Sequence, residues 1–121
     1  MPGFEQGDVV RVPFPYTDRS TRQHRPALVV SAGGIGENAA LLWVVMITSA
    51  ENRAWANDIP LDESYGQAGL PVPSVIRPCK LATIEARHAE PLGRIGSDHL
   101  SLVTAKLRDY LGFGEPDRRP A

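Results

Sequence analysis

Between residues 16 and 25 the chain reads Tyr16-Thr17-Asp18-Arg19-Ser20-Thr21-Arg22-Gln23-His24-Arg25, which places three arginines and a histidine within seven residues. The guanidinium fork matches phosphate oxygens bidentately, and the polar neighbours can hydrogen-bond a nucleic-acid backbone. The same composition also suits a solvated hairpin loop. Arg25 is the harder residue to read as bulk solvation, because Pro26 follows it and an apolar segment begins there. Thr48 and Ser49 close a second apolar run, Leu41-Leu42-Trp43-Val44-Val45-Met46-Ile47. If the two segments pair as a hairpin, the start of one lies beside the end of the other, and Arg25 meets Thr48 at one rim of the sheet. Such a pair is a candidate site assembled from pairing geometry, without any motif. The competing reading of Thr48 is a strand-end hydroxyl satisfied by backbone. His24 is either a proton carrier or an exposed loop histidine, and Arg19 and Arg22 are candidates to hold substrate phosphates. Trp55, set among Asn52-Arg53-Ala54 and Ala56-Asn57-Asp58, is a candidate for stacking a base or meeting a second subunit. Trp43, inside the apolar run, is expected in the core.

Other chemistries find little support. No HExxH helix, phosphate-binding Walker loop or Gly-x-Ser-x-Gly elbow occurs. Gly33-Gly34-Ile35-Gly36 lacks the pattern of a dinucleotide fingerprint and reads as a hairpin turn. His24, His88 and His99 are far apart in sequence, so no metal site is expected. A single cysteine, Cys79, excludes an internal disulfide framework and reads as a small buried or half-buried residue. The net charge of −1 exerts no global pull on nucleic acid, which leaves the local arginine cluster to supply any. The amino terminus does not read as a secretory signal, and the longest apolar run, Ala39 to Ile47, is too short for a membrane helix. A cytoplasmic protein is the expectation.

The elements that must position these residues are short. Eleven glycines and eleven prolines divide the 121 residues into pieces that favour strands over long helices. Strands are predicted at Gly7–Phe14, Pro26–Ser31 and Ala40–Thr48, with a turn over Ala32–Asn38 and burial on both faces of the third strand. Pro13 and Pro15 require the first strand to end or to lie at an edge. A short strand follows at Asp58–Leu61, then a long loop over Asp62–Pro73. Two further segments, Ser74–Arg77 and Lys80–Glu85, are separated near Pro78. One helix is predicted over Ser97–Leu111, capped by Ser97 and stopped by Gly112, with Leu100, Val103, Leu107, Tyr110 and Leu111 as its apolar face. The architecture is a mainly β, small antiparallel barrel or curled sheet with a C-terminal helix. One domain spans 7–112, and 113–121 forms a charged tail.

Three segments in order resemble a known family. Gly7-Asp8-Val9-Val10-Arg11-Val12-Pro13-Phe14-Pro15, Arg25-Pro26-Ala27-Leu28-Val29-Val30-Ser31 and Ile47-Thr48-Ser49 are similar to the MazF/PemK toxins. Ser74-Val75-Ile76-Arg77, Lys80-Leu81-Ala82-Thr83-Ile84 and Leu92-Gly93-Arg94-Ile95 continue the likeness. The resemblance implies an SH3-like curled barrel, a homodimer, and the toxin half of a type II toxin–antitoxin pair. It implies an endoribonuclease that cuts single-stranded mRNA without metal or other cofactor, restrained by an antitoxin with an acidic, disordered segment. By the same resemblance Arg25 and Thr48 are catalytic, while Ser49, Arg77 and the residue at position 79 (Cys79) belong to the substrate site. Many members carry an aspartate two residues after the second arginine, and this chain has Cys79 there. That departure keeps open an alternative: a non-catalytic toxin of the same fold that binds a protein target such as DNA gyrase.

Overall fold

A computed structural model describes residues 3–14 and 23–113. Its elements run β1 (Asp8–Phe14), β2 (Gln23–Val29), β3 (Leu41–Ser49), β4 (Ile59–Pro60), β5 (Ser74–Glu85), β6 (Glu90–Arg94) and α1 (Ser97–Leu111). The six strands form one curled sheet in the order β4-β5-β3-β2-β1-β6, with every neighbouring pair antiparallel. The mainly β architecture with a C-terminal helix agrees with the sequence expectation. It is a half-barrel, with β4 and β6 at its two ends.

The sheet buries side chains on both faces, which explains why β1, β2 and β3 are apolar at successive positions. One face carries Val9, Leu28, Val45, Ile47, Ile59, Leu61 and Ile76, and Val103, Leu100 and Leu107 of α1 pack against it. The other carries Val10, Val12, Phe14, Ala27, Val29, Leu42, Val44 and Met46. Each large apolar side chain so buried contributes roughly 1.5–3 kcal/mol. Trp43 departs from its expected core position: it is 45% exposed. It shares a face with Val45 and Ile47 but stands opposite the exposed Thr83, where nothing covers it fully.

Element boundaries shift in ways that matter for the site. β2 starts at Gln23, earlier than the predicted Pro26, so Arg25 lies inside a strand. β1 continues through Pro13, which is tolerated because β6 pairs with β1 only over Asp8–Arg11. The segments predicted as separate strands around Pro78 form one, β5, containing a large bulge. Val45 stands opposite Leu81 but the next residue, Met46, stands opposite Arg77, so Pro78, Cys79 and Lys80 are looped out of the ladder. A proline without an N–H is well placed there.

The predicted long loop is partly core. A single 3₁₀ turn, Asp62–Tyr65, opens it, and Leu61, Ala68 and Leu70 are buried. The β2–β3 turn is tight: a Cβ on Gly34 would fall 2.3 Å from the Ala39 carbonyl oxygen. The helix spans the predicted residues, but its N-cap is Gly96, with no side-chain cap, instead of Ser97. Gly112 stops it in a left-handed conformation at φ 86°, as its residue type suggests. Tyr110 and Leu111, assigned to the packed face, are 46% and 62% exposed.

Candidate active site

The end of β1, the start of β2, the end of β3 and the start of β5 meet at one rim of the sheet. β2 and β3 pair with Ala27 opposite Met46, Leu28 opposite Val45 and Val29 opposite Val44. Continued by two residues, that register sets Arg25 opposite Thr48. Paired residues share a face. Arg25 is opposite Val12, and Met46 is opposite Arg77. Arg25, Thr48 and Arg77 therefore lie on one face, the face of Val12, Ala27 and Met46.

Thr48 is 5% exposed, and its Oγ1 accepts a hydrogen bond from Asn52 Nδ2 at 2.7 Å. A hydroxyl so held keeps its own O–H to donate. Arg25 is half-buried. Ser49, next to Thr48, falls on the opposite face, where its Oγ accepts the Glu51 N–H at 3.2 Å. His24 likewise alternates away from Arg25. It is exposed and lines a shallow cavity of about 590 Å³ with Arg11, Pro13, Arg87, His88 and Glu90. The structure thus separates His24 and Ser49 from the Arg25–Thr48 face. Arg19 and Arg22 lie outside the described residues.

Arg77 makes the most developed set of contacts at the rim. Its Nε and Nη2 donate to Asp58 Oδ1 and Oδ2, each at 3.0 Å, and Nη2 also donates to the Arg53 carbonyl at 3.0 Å. The two side chains are each 8% exposed. The guanidinium carbon lies 4.2 Å from the centroid of the Trp55 ring, and Lys80 Nζ lies 5.6 Å from the same centroid. Asp58 Oδ2 in turn accepts the Trp55 backbone N–H at 2.9 Å. The segment between β3 and β4 is thereby tied down at Asn52, Arg53, Trp55 and Asp58. Burial alone pushes the Asp58 carboxyl up, but the Arg77 hydrogen bonds, the Trp55 N–H and the Arg77 charge outweigh it, and the net shift is below the ordinary carboxylate value.

Cys79 is exposed, against the expectation of burial, because the bulge lifts it out of the ladder. The carboxylate that meets Arg77 comes from Asp58, nineteen residues earlier in the chain. Asp58 and Asn52 were not singled out from the sequence. The only signal for them was polarity in a segment between two apolar strands, which solvated loops share. On the other face, Trp43, Pro78, Cys79, Leu81, Leu107, Tyr110 and Leu111 contribute to an apolar groove of about 940 Å³ between the sheet and α1.

The domain is thus a curled antiparallel half-barrel with a C-terminal helix that carries arginine and threonine where its strands end. The model of the PemK-like, MazF-like toxins of type II toxin–antitoxin systems matches residues 5–111, and the chain belongs to that family. The fold is similar to the MazE–MazF structure from Deinococcus radiodurans (TM-score 0.71, 24% identity, 94% of this chain and 100% of that one). It is similar also to an endoribonuclease in complex with its cognate antitoxin from a mycobacterial species (0.70, 18%, 96% and 100%). A third likeness is to the Mycobacterium tuberculosis toxin MazF-mt6 (0.61, 18%, 88% and 98%). At these identities the likenesses show the fold. No curated protein sequence matches the chain.

Truncating one member of a buried ion pair strands the other, so Asp58→Ala should cost roughly 3–5 kcal/mol in chemical denaturation. Because the folded carboxyl titrates below its unfolded value, its contribution is complete above the unfolded pKa and lost as pH falls through the folded one. The stability gap between wild type and Asp58→Ala should hold steady from pH 8 to 5 and narrow below about pH 4.

Proposed function

We propose that this toxin is an endoribonuclease that cleaves single-stranded mRNA at Arg25 and Thr48. The observation that carries the reading is the β2–β3 register, which pairs Ala27 with Met46 and so directs Arg25 and Thr48, each two residues further along its strand, toward the same end of the sheet. RNA carries its own nucleophile. The 2′-hydroxyl loses its proton and attacks the adjacent phosphorus, the bond to the 5′-oxygen breaks, and that oxygen leaves as a hydroxyl after taking up a proton. The products are a 2′,3′-cyclic phosphate and a 5′-hydroxyl end, and the protein must supply orientation and charge stabilisation without a nucleophile of its own. Arg25, half-buried, stabilises the charge that develops on the non-bridging oxygens; desolvation strengthens that interaction. Thr48, held through Asn52, donates to a phosphate oxygen or orients the 2′-hydroxyl.

The partners follow the same reading. Arg19 and Arg22 hold substrate phosphates in this reading. An antitoxin with an acidic segment that folds on binding would cover this basic rim, as the mycobacterial relative is seen with its cognate antitoxin. The apolar groove with Trp43, Leu81, Tyr110 and Leu111 fits a second copy of the chain, since exposed apolar patches of this kind mark interfaces. The protein acts in the cytoplasm, where its substrate is; no described helix is long and apolar enough to cross a membrane.

In EDTA, wild type should cut a long single-stranded RNA and leave cyclic phosphate ends, and Arg25→Ala should lose at least about a hundredfold in rate. Intact RNA with wild type, alongside a stable complex with DNA gyrase, would favour a binding toxin instead. Replacing both Arg19 and Arg22 by alanine should flatten the salt dependence of RNA affinity, lowering the log–log slope by about 1.4 while cleavage specificity persists. Light scattering should show a dimer for wild type and a shift toward monomer for Trp43→Glu.

A further inference from the structure

The Asp58–Arg77–Trp55 cluster is unusually complete for a loop that only joins two strands. Arg77 spends three N–H contacts on Asp58 and the Arg53 carbonyl, and its side chain is 8% exposed. A guanidinium so engaged has little left for a phosphate. Its guanidinium carbon lies over the Trp55 ring at 4.2 Å from the centroid, Lys80 Nζ approaches the same ring at 5.6 Å, and Trp55 is only half-buried. Asp58 accepts the Trp55 N–H as well, so one carboxylate fixes both the cation beneath the ring and the backbone that carries it. The cluster joins the substrate face at two points: Arg77 stands opposite Met46, two residues from Thr48, and the same loop sends Asn52 to the Thr48 hydroxyl.

We propose that Asp58 is a positioning residue that, through Arg77, holds the Trp55 indole as a stacking platform for one base of the RNA beside the scissile phosphate. The inference rests on the RNA-cleaving reading and deepens it. Arg77 thereby serves the substrate through Trp55 instead of through a phosphate contact. A pre-set aromatic face saves the entropy of ordering a tryptophan on binding and is tolerant of the base it meets. Lysine in place of Arg77 keeps the charge but offers neither the bidentate fork nor the planar surface.

The test uses the full chain with two probes, a single-stranded oligoribonucleotide that wild type cleaves and a 2′-O-methylated oligonucleotide of mixed sequence that cannot be cut. Asp58→Asn, Arg77→Lys and Trp55→Leu should each raise KM about tenfold, the loss of one stacked base, with kcat within about twofold. The salt slope of binding should stay that of wild type, because no phosphate contact is removed. Asp58→Asn combined with Trp55→Leu should be no worse than Trp55→Leu alone. With the uncut probe, wild-type tryptophan emission should be quenched and Trp55→Leu should show none of that quenching. Trp55→Leu leaves the ion pair in place, so it reports even if Asp58→Asn folds poorly. Additive effects in the double variant, a flattened salt slope for Arg77→Lys, or wild-type KM in Trp55→Leu would each overturn the proposal. A wild type that quenches on the uncut probe but cleaves nothing would sustain the platform and overturn the enzyme reading instead.

Discussion

A guanidinium held at 8% exposure must have its charge met locally, and in this toxin the whole rim of the sheet is arranged around that requirement. Asp58 answers Arg77 with both oxygens, and the Arg53 carbonyl takes a further N–H. Meeting the charge obliges the segment between β3 and β4 to fold back over the end of the sheet. Trp55 is then set against the cation and Asn52 against Thr48. The desolvation of two charges makes the pair a weak source of net stability and a strong source of specificity, because any other path for this loop strands one of them.

The bulge in β5 makes the arrangement geometrically possible. With three residues looped out between Arg77 and Leu81, the strand keeps its apolar pairing with β3 on both sides of the irregularity. Met46 can thus face Arg77 while Val45 faces Leu81 in the opposite sense. Cys79, in the looped-out stretch, is exposed, and the carboxylate that meets Arg77 comes from Asp58.

The two apolar faces divide the labour. The face under α1 binds the helix to the sheet through Leu100, Val103 and Leu107, while the opposite face carries Arg25, Thr48 and Arg77 beside Val12, Ala27 and Met46. The proposed site residues therefore stand on strands held by a packed core, the kind of support a preorganised site needs. Trp43, Leu81, Tyr110 and Leu111 are left on the outside, where a protein of this size rarely exposes so much apolar surface without a partner.

Much was legible in the residues themselves. Continuous apolar runs at Leu28–Val30 and Leu41–Ile47 specify strands buried on both faces, a glycine-rich turn joins them, and Arg25 and Thr48 follow from that pairing because antiparallel register is a local, two-fold periodic property. The helix over Ser97–Leu111 was visible for the same kind of reason, its period written in Leu100, Val103 and Leu107 and its end in Gly112. The exposure of Trp43 and Cys79, the bulge after Arg77 and the partnership of Arg77 with Asp58 were decided only in three dimensions. Each depends on which surfaces the curl leaves uncovered and on two charges nineteen residues apart arriving at one place, and periodicity carries no record of either.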